Sequence, residues 1–431
     1  MIAGTTMSAI DDTPIVYPEE PFEVPPALLG PCSCLAGTAG CGKTYLARQW
    51  AATDPSVWLC ATTGIAAVNL NTVTINSTLW YFDTDDLEQQ YHLGRIQAAL
   101  RKLRSSRYTR LVVDEFSMMD GRQLDLLCFA LDEVNVGLDE KPMALTLVGD
   151  PCQLPPIKSQ FVFERPAWAR FTDNVVTLTE PRRQADPDFV RALQAVRRGD
   201  ASTGLAYFRP CLDAREDMQF RGTTIVSKNE EVERVNRVRL MDLKGSVITY
   251  PSWRDGKQRS EWKHLPETLE LKPGAIVMCL ANRYEGGSLV YANGSLAEFL
   301  ERVDADPSME ERGPFARVKL LDTEAVVLVP RVTRKHEQVT GATGDKKPRK
   351  DVVGWITFMP LRLAFASTCH KVQGLSLDHV QVLIHNVFWK QPSMTYVALS
   401  RARTLGGLRI VGSADQLSQR MAVDPRVLAW I

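Results

Sequence analysis

At 431 residues the chain is too long for one hydrophobic core and is expected to fold as about two to four packed units. Hydrophobic residues make up 45% and charged residues 24%, a globular balance that excludes wholesale disorder and collagen-like repeats. Lys plus Arg and Asp plus Glu each total 51, so the net charge is zero and any nucleic-acid contact has to come from local patches. No apolar run approaches the roughly 18 to 20 residues of a membrane span, since Ala275–Ala281 ends at Asn282. The N-terminus carries Asp11, Asp12, Glu19 and Glu20 in place of a basic-then-apolar secretory pattern. Nine cysteines lie scattered without CxxC spacing, which reads as reduced thiols in a cytoplasmic protein rather than as a zinc site or a disulfide framework.

In chain order, Pro14, Pro18, Pro21, Pro25, Pro26 and Pro31 deny the first stretch helix and ladder hydrogen bonds, predicting an extended or disordered arm over 1–29. Short unbroken apolar runs follow: Val57–Ala61, Leu111–Val113, Leu145–Val148, Val175–Leu178, Thr223–Val226, Val380–Ile384 and Leu408–Val411. Runs of this kind suit strands covered on both faces, as in parallel sheets with crossover helices, so the fold class is α/β. One helix is marked at both ends, with Asp186 as its cap, Pro187 in its first turn, Phe189, Leu193 and Val196 on one face, and Gly199 as its stop. Between about 271 and 355 the pattern alternates instead, as in Arg317–Leu321 and Val326–Val329, with turns at Asn293-Gly294, Gly313-Pro314 and Gly341–Gly344. This predicts a small β-rich module set into the second α/β unit.

Gly37-Thr38-Ala39-Gly40-Cys41-Gly42-Lys43-Thr44 fits G-x-x-x-x-G-K-[ST] between an apolar strand and a helical run. Such a loop turns successive N–H groups and a helix N-terminus toward phosphate oxygens, with Lys43 reaching the β- and γ-phosphates and the Thr44 hydroxyl holding Mg²⁺. Leu111–Val113 leads into Asp114-Glu115, which predicts Asp114 on the magnesium shell and Glu115 as general base for an attacking water. The chemistry expected is hydrolysis of ATP with Mg²⁺. Cys41 sits at a helix N-terminus, where thiols become more acidic, but a tolerated small residue accounts for it equally.

Further blocks stand in order around this pair: Ala61-Thr62-Thr63-Gly64-Ile65, Thr74-Ile75-Asn76-Ser77, Asp114–Met118, Gly149-Asp150-Pro151-Cys152-Gln153-Leu154-Pro155-Pro156, Arg183-Gln184, Thr368-Cys369-His370-Lys371-Val372-Gln373-Gly374, and Tyr396–Ala402. In identity, order and spacing they resemble the superfamily 1 DNA helicases of the 5′→3′ branch, the Pif-type, Dda and RecD-like enzymes, over about residues 32 to 412. The resemblance implies two RecA-like P-loop domains with parallel sheets, ATP between them and single-stranded DNA across their tops. It implies a first domain over 30–177 with a small wedge insertion at about 72–107, a second over 178–270 and 356–431, and an SH3-like module over 271–355.

Carried over by position, the resemblance makes Gln153 a γ-phosphate sensor and brings Arg183 and Arg401 to that phosphate from the second domain. Arginines supplied across a cleft would tie hydrolysis to closure. It also assigns DNA contacts to Thr62, Thr63, Asn76, Thr368, His370 and Lys371. Trp80, Tyr81 and Phe82 fall where the family carries its wedge; one at least is expected in a core, and Trp80 is the one expected to stack on a base. Basic runs at 93–110 and 331–350 are candidate phosphate tracks or plain solvated faces.

The chain departs from the family in three places. No glutamine precedes the phosphate loop, the first being Gln49, so the adenine-reading glutamine is missing. Asn76 stands where many Pif-type members have histidine, and Gly121–Met143 lacks their glycine-rich signature, which leans toward the shorter bacterial and phage Dda/RecD-like members. The function expected is ATP-dependent translocation on single-stranded DNA with unwinding of forked duplex DNA; polarity comes from the resemblance alone. A DNA-stimulated ATPase switch or loader, and a RecD-like subunit of a nuclease complex, are the alternatives. The sequence names no protein partner.

Overall fold

A computed structural model describes residues 23–430, except 71, 138–141, 157–158, 221, 258–261, 263–264, 282, 286–287, 292–294, 306–312, 322 and 341–348. The proline-rich arm up to residue 22, the turns Asn293-Gly294 and Gly341–Gly344, and Lys346 and Lys347 of the second basic run lie outside the described residues.

The first half is a six-stranded, all-parallel sheet: β1 (Cys32–Gly37), β2 (Val57–Ala61), β3 (Val73–Thr74), β4 (Arg110–Asp114), β5 (Ala144–Gly149) and β6 (Val175–Leu178). Its strands run in the order β3-β2-β4-β5-β1-β6. The register places Cys34 opposite Leu147 and Val175, and Ala61 opposite Asp114, so the phosphate loop and the carboxylate pair leave the same sheet edge. Alternate residues of each strand serve different cores, because side chains alternate between faces. Leu35, Leu59, Ala61, Val112 and Val148 pack with Ala47 and Trp50 of the helix Lys43–Thr53. Cys34, Cys60, Leu111, Val113 and Leu147 pack with the helices Arg95–Ser105 and Gly121–Asn135.

The stretch expected as a wedge holds three helices, Ile75–Leu79, Thr84–His92 and Arg95–Ser105. Ile75, Leu79, Leu87, Ile96 and Leu100 join the first sheet's core, so this stretch is anchored along its length.

The second half carries a five-stranded parallel sheet in the order Ala366–Thr368, Thr223–Val226, Val380–Leu383, Leu408–Val411, Leu212–Asp213. Pro187–Arg197 forms the expected helix, with Asp186 accepting from Asp188 N–H and Gly199 at φ 76° just past its end. Ala39, Cys152, Leu154 and Phe161 from the first half share one hydrophobic cluster with Phe189, Leu193, Tyr396 and Leu399 from the second. The two halves are thus joined by a dry interface beside the phosphate loop.

The β-rich region is wider than 271–355. Antiparallel strands already occur at Ile248–Pro251, Trp253–Gly256 and Thr268–Leu271, and Leu361–Leu363 closes a five-stranded antiparallel sheet. The correction has a physical cause: Tyr250, Leu269 and Leu271 bury their side chains with Val277, Phe299 and Val318 in one separate core. Their alternating pattern belongs with that core rather than with the parallel sheet.

Candidate nucleotide and nucleic-acid site

A cleft of about 520 Å³ lies over the β1–helix turn and is lined by Gly40–Thr44, Glu115, Gln153, Arg183 and Arg401. All the residues expected to do phosphate chemistry therefore meet, with Asp114 just beneath. Gly40, at φ 80°, lets the chain approach closely: an added Cβ would come within 2.6 Å of Arg183 Cβ. The N–H groups of Arg182 and Arg183 donate to Gly40 O at 2.7 and 3.1 Å, fastening the interdomain linker to the loop. Lys43 is buried and its Nζ donates to Gly37 O and Thr38 O at 3.0 and 2.8 Å, beside Cys41 Sγ.

Thr44 Oγ1 donates to Asp114 Oδ2 at 2.8 Å. Burial and the neighbouring Glu115 push the Asp114 carboxyl up to about 7, a shift held back by the Thr44 hydroxyl. Two hard oxygen donors side by side, the Thr44 hydroxyl and the Asp114 carboxylate, fit Mg²⁺, which would complete its shell from phosphates and water. Glu115 adopts a left-handed backbone, φ 58° and ψ 44°, a conformation that β-carbon-bearing residues keep only where the surroundings enforce it. Thr62 Oγ1 donates to its carbonyl at 2.7 Å.

Gln153 is 4% exposed and its Oε1 is buried without a partner, an acceptor aimed at the cleft's own contents. Arg183 Nη1 donates to Ser400 O at 2.9 Å. Arg401 is pinned by Val397 O, Leu375 O and Ser400 Oγ. Burial, with Arg401 beside it, pulls the Arg183 guanidinium down to about 9, and burial lowers Arg401 as well. Two desolvated cations side by side are an anion site, since a polyphosphate between them relieves both penalties.

The residues expected at DNA form two groups near this cleft. Thr62 and Thr63 end β2, and the Thr63 hydroxyl caps Ala66 N–H. Thr368, His370 and Lys371 surround the 3₁₀ turn Cys369–Val372. His370 is half-buried with an unpartnered Nε2, and Lys371 Nζ lies 3.4 Å from Asn229 Oδ1. Thr368 is 6% exposed, so it shapes the turn and presents little of itself to a ligand. Asn76 donates to Phe82 O and thereby secures the bend that carries Trp80. Trp80 is 65% exposed at φ 61°, with Lys102 Nζ 4.9 Å from its ring centroid. Tyr81 is the buried member of the aromatic trio, bonded to Gln123.

The basic runs divide. Arg95, Arg101, Lys102 and Arg107 are exposed, whereas Arg110 donates to Gly30 O and Thr146 and covers Trp50. Arg331 and Arg334 lie over the rings of Trp253 and Phe358 and so pack against the β-rich module.

Sequence reasoning assigned no role to four residues that matter here. Asp150, wholly buried, accepts from Arg197 Nη2 at 3.1 Å and from the Tyr396 hydroxyl at 2.9 Å, both in the second half. Tyr396 in turn accepts from Ala39 N–H of the phosphate loop at 2.8 Å. Gln373 Nε2 donates to Glu115 Oε2 at 3.2 Å and to Ser117 Oγ at 3.1 Å. Asp150, Gln373 and Tyr396 stand inside the motif blocks; Arg197 had no signal beyond its helix. A larger cavity of about 1290 Å³, between the β-rich module and the second sheet, shares Gly374, Ser376 and Arg403 with the cleft but holds none of the phosphate-site residues.

Two RecA-like halves with a phosphate loop on one and arginines converging from the other define a P-loop nucleotide-binding protein. A family model described as an AAA domain matches residues 30–210. ATP-dependent DNA helicase PIF1 of Homo sapiens is 30% identical over 420 residues, covering 93% of this chain and 61% of that protein. The Xenopus laevis counterpart is 29% identical over 91% of this chain and 59% of its own length. Among solved structures, the Pif1 helicase from Candida albicans matches with TM-score 0.76 at 25% identity over 94% of this chain and 95% of that one. Bacteroides Pif1 bound to ssDNA matches with TM-score 0.68 at 25% identity over 92% of each. The chain is thus similar to Pif1-type superfamily 1 helicases over about nine tenths of its own length. This similarity supports the Pif-type reading of the resemblance. The chain spans about three fifths of the human and frog relatives' length. Among the described residues no helix is long and apolar enough to cross a membrane.

Proposed function

We propose that the protein is an ATP-dependent DNA helicase that moves 5′→3′ along single-stranded DNA and opens forked duplexes. The observation that carries this reading is the entry of Arg183 and Arg401 into the cleft of Lys43, Thr44 and Glu115. The N–H groups of Gly40, Gly42, Lys43 and Thr44 and the Lys43 ammonium bind the phosphates of ATP, within the loop Gly37–Thr44. Thr44 and Asp114 hold Mg²⁺, which neutralises phosphate charge when bound. Glu115 takes the proton of the attacking water while Gln153 orients that water, and the two arginines stabilise charge on the transferred phosphoryl, a contribution of about 10³–10⁵ in rate. The named relatives and the ssDNA-bound neighbour support DNA as the track.

Thr62, Thr63, His370 and Lys371 are the phosphate contacts on that track, Trp80 is the stacking platform, and Asn76 and Thr368 support them. On this reading residues 30–177 form the first motor domain, and the second is interrupted by an SH3-like module spanning 248–363. Nine cysteines, none of them in a disulfide, support a cytoplasmic setting, with a bacterial or phage source as the working expectation. The test is strand separation with ATP on 5′-tailed and 3′-tailed duplexes. The proposal predicts opening of the 5′-tailed substrate only; DNA-stimulated hydrolysis without opening of either would favour a switch or loader.

A further inference from the structure

The cleft is longer than its phosphate chemistry needs. In the sheet order β3-β2-β4-β5-β1-β6, Glu115 and Gln153 follow β4 and β5, on one side of the phosphate loop. Thr177 and Leu178 of β6, with Thr179, Glu180 and Arg182 just past it, line the other end. β6 is the edge strand of the sheet, and Thr179, Glu180 and Arg182 are exposed there. A nucleoside triphosphate is linear. With its γ-phosphate on the β4 side, its base comes to the β6 end.

Arg182 and Arg183 are neighbours in opposite environments. Arg183 Nη1 is bound to Ser400 O, whereas the Arg182 guanidinium has no hydrogen-bond or ion-pair partner among the described residues, and neither has the Glu180 carboxylate. Arg182 is nevertheless held: its N–H donates to Gly40 O at 2.7 Å, and a Cβ added at Gly42 would meet Arg182 Cδ at 3.7 Å. Backbone and stem are thus fixed along the phosphate loop, and only the planar head is left over. A planar guanidinium stacks on a nucleobase.

Adenine is read selectively by a side-chain amide, which pairs with both N7 and the 6-amino group. Asn and Gln are absent from the chain before Gln49, and Gln153, the one side-chain amide among the described residues lining the cleft, lies at the γ-phosphate end. A carboxylate in the place of Glu180 accepts from the 6-amino group of adenine or from N1–H and the 2-amino group of guanine.

We propose that Arg182 and Glu180 form the base subsite of the cleft, with the guanidinium stacked on the ring, and that this subsite takes adenine and guanine nucleotides alike. The inference rests on the nucleotide-hydrolysis reading above and deepens it, widening the substrate class from ATP to purine nucleoside triphosphates. Stacking is indifferent to the ring's edge, because every base offers a π-face. The exposed carboxylate finds a hydrogen on either purine, so the wrong base strands no buried partner, which is the usual source of strong rejection.

The test measures kcat and KM for ATP and for GTP, with Mg²⁺ and a saturating oligo-dT strand, on the full chain and on Arg182→Ala and Arg182→Phe. For the full chain the inference predicts kcat/KM values within about tenfold of each other. Arg182→Ala is expected to raise KM for both nucleotides by about fivefold or more, the scale of one lost stack, with kcat within about twofold of the parent. Arg182→Phe supplies a flat partner without the charge and is expected to return both KM values to within about threefold of the parent. Discrimination between the nucleotides beyond about tenfold overturns the inference. So does a smaller rise of KM in Arg182→Ala, or a larger loss of kcat, which would place Arg182 at the transferred phosphoryl. A rise that Arg182→Phe leaves in place also overturns it, because it would mark a charge contact to phosphate. A full chain that hydrolyses neither nucleotide refutes the hydrolysis reading itself, a distinguishable failure.

Discussion

Along one wall of the cleft, Lys43, Thr44, Glu115 and Gln153 come from the segments that follow the neighbouring strands β1, β4 and β5 of one sheet, and Asp114 is the last residue of β4. The facing wall draws Arg183 from a linker and Arg401 from just past the end of a short helix, Met394–Leu399, while Gln373, buried after the turn Cys369–Val372, bonds to Glu115. The near wall binds phosphate with backbone donors and one lysine, so it can hold a nucleotide by itself. The far wall supplies side chains only, and its two arginines are clamped by carbonyls of their own half. The contrast teaches that binding and turnover are divided between the halves: the first needs one wall, the second both.

Breaking the near wall gives the largest expected effect. Lys43→Ala and Glu115→Gln are each expected to lower steady-state ATP turnover by about 10³-fold or more, with Glu115→Gln retaining nucleotide affinity in an equilibrium binding assay. A Glu115→Gln protein with near-normal turnover would remove the general base from the account. A smaller effect is expected where the walls are riveted together. Tyr396→Phe strands Ala39 N–H and takes one of two cross-domain partners from Asp150, and about a tenfold loss of turnover with a lower thermal midpoint is expected. Unchanged turnover and midpoint would make this contact incidental. The smallest effect lies away from the cleft: Trp80→Ala is expected to weaken single-strand affinity by about 1–3 kcal/mol and leave DNA-free ATP hydrolysis unaltered, checked by anisotropy and a coupled assay.

The same division explains what could be read before the structure was seen. The parallel strands and the phosphate loop are local patterns: four residues of Thr223–Val226 or eight of Gly37–Thr44 carry their own periodicity and turn chemistry. The β-rich region was underestimated because Ile248–Pro251 and Thr268–Leu271 show only a short alternation, and their membership depends on a core assembled from distant strands. Arg110, Arg331 and Arg334 looked like charge runs because sequence does not reveal the aromatic ring or carbonyl that each covers. Gln373 stood in a quoted block, yet its bond to Glu115 spans 258 positions and has no local signature.

The division of labour between the walls is tested most directly with Arg401→Ala, by measuring equilibrium nucleotide affinity and single-turnover ATP hydrolysis on one preparation. The account predicts affinity within about threefold of the parent and hydrolysis slowed by about 10³-fold or more. Affinity and hydrolysis falling together, or hydrolysis at the parental rate, would contradict it.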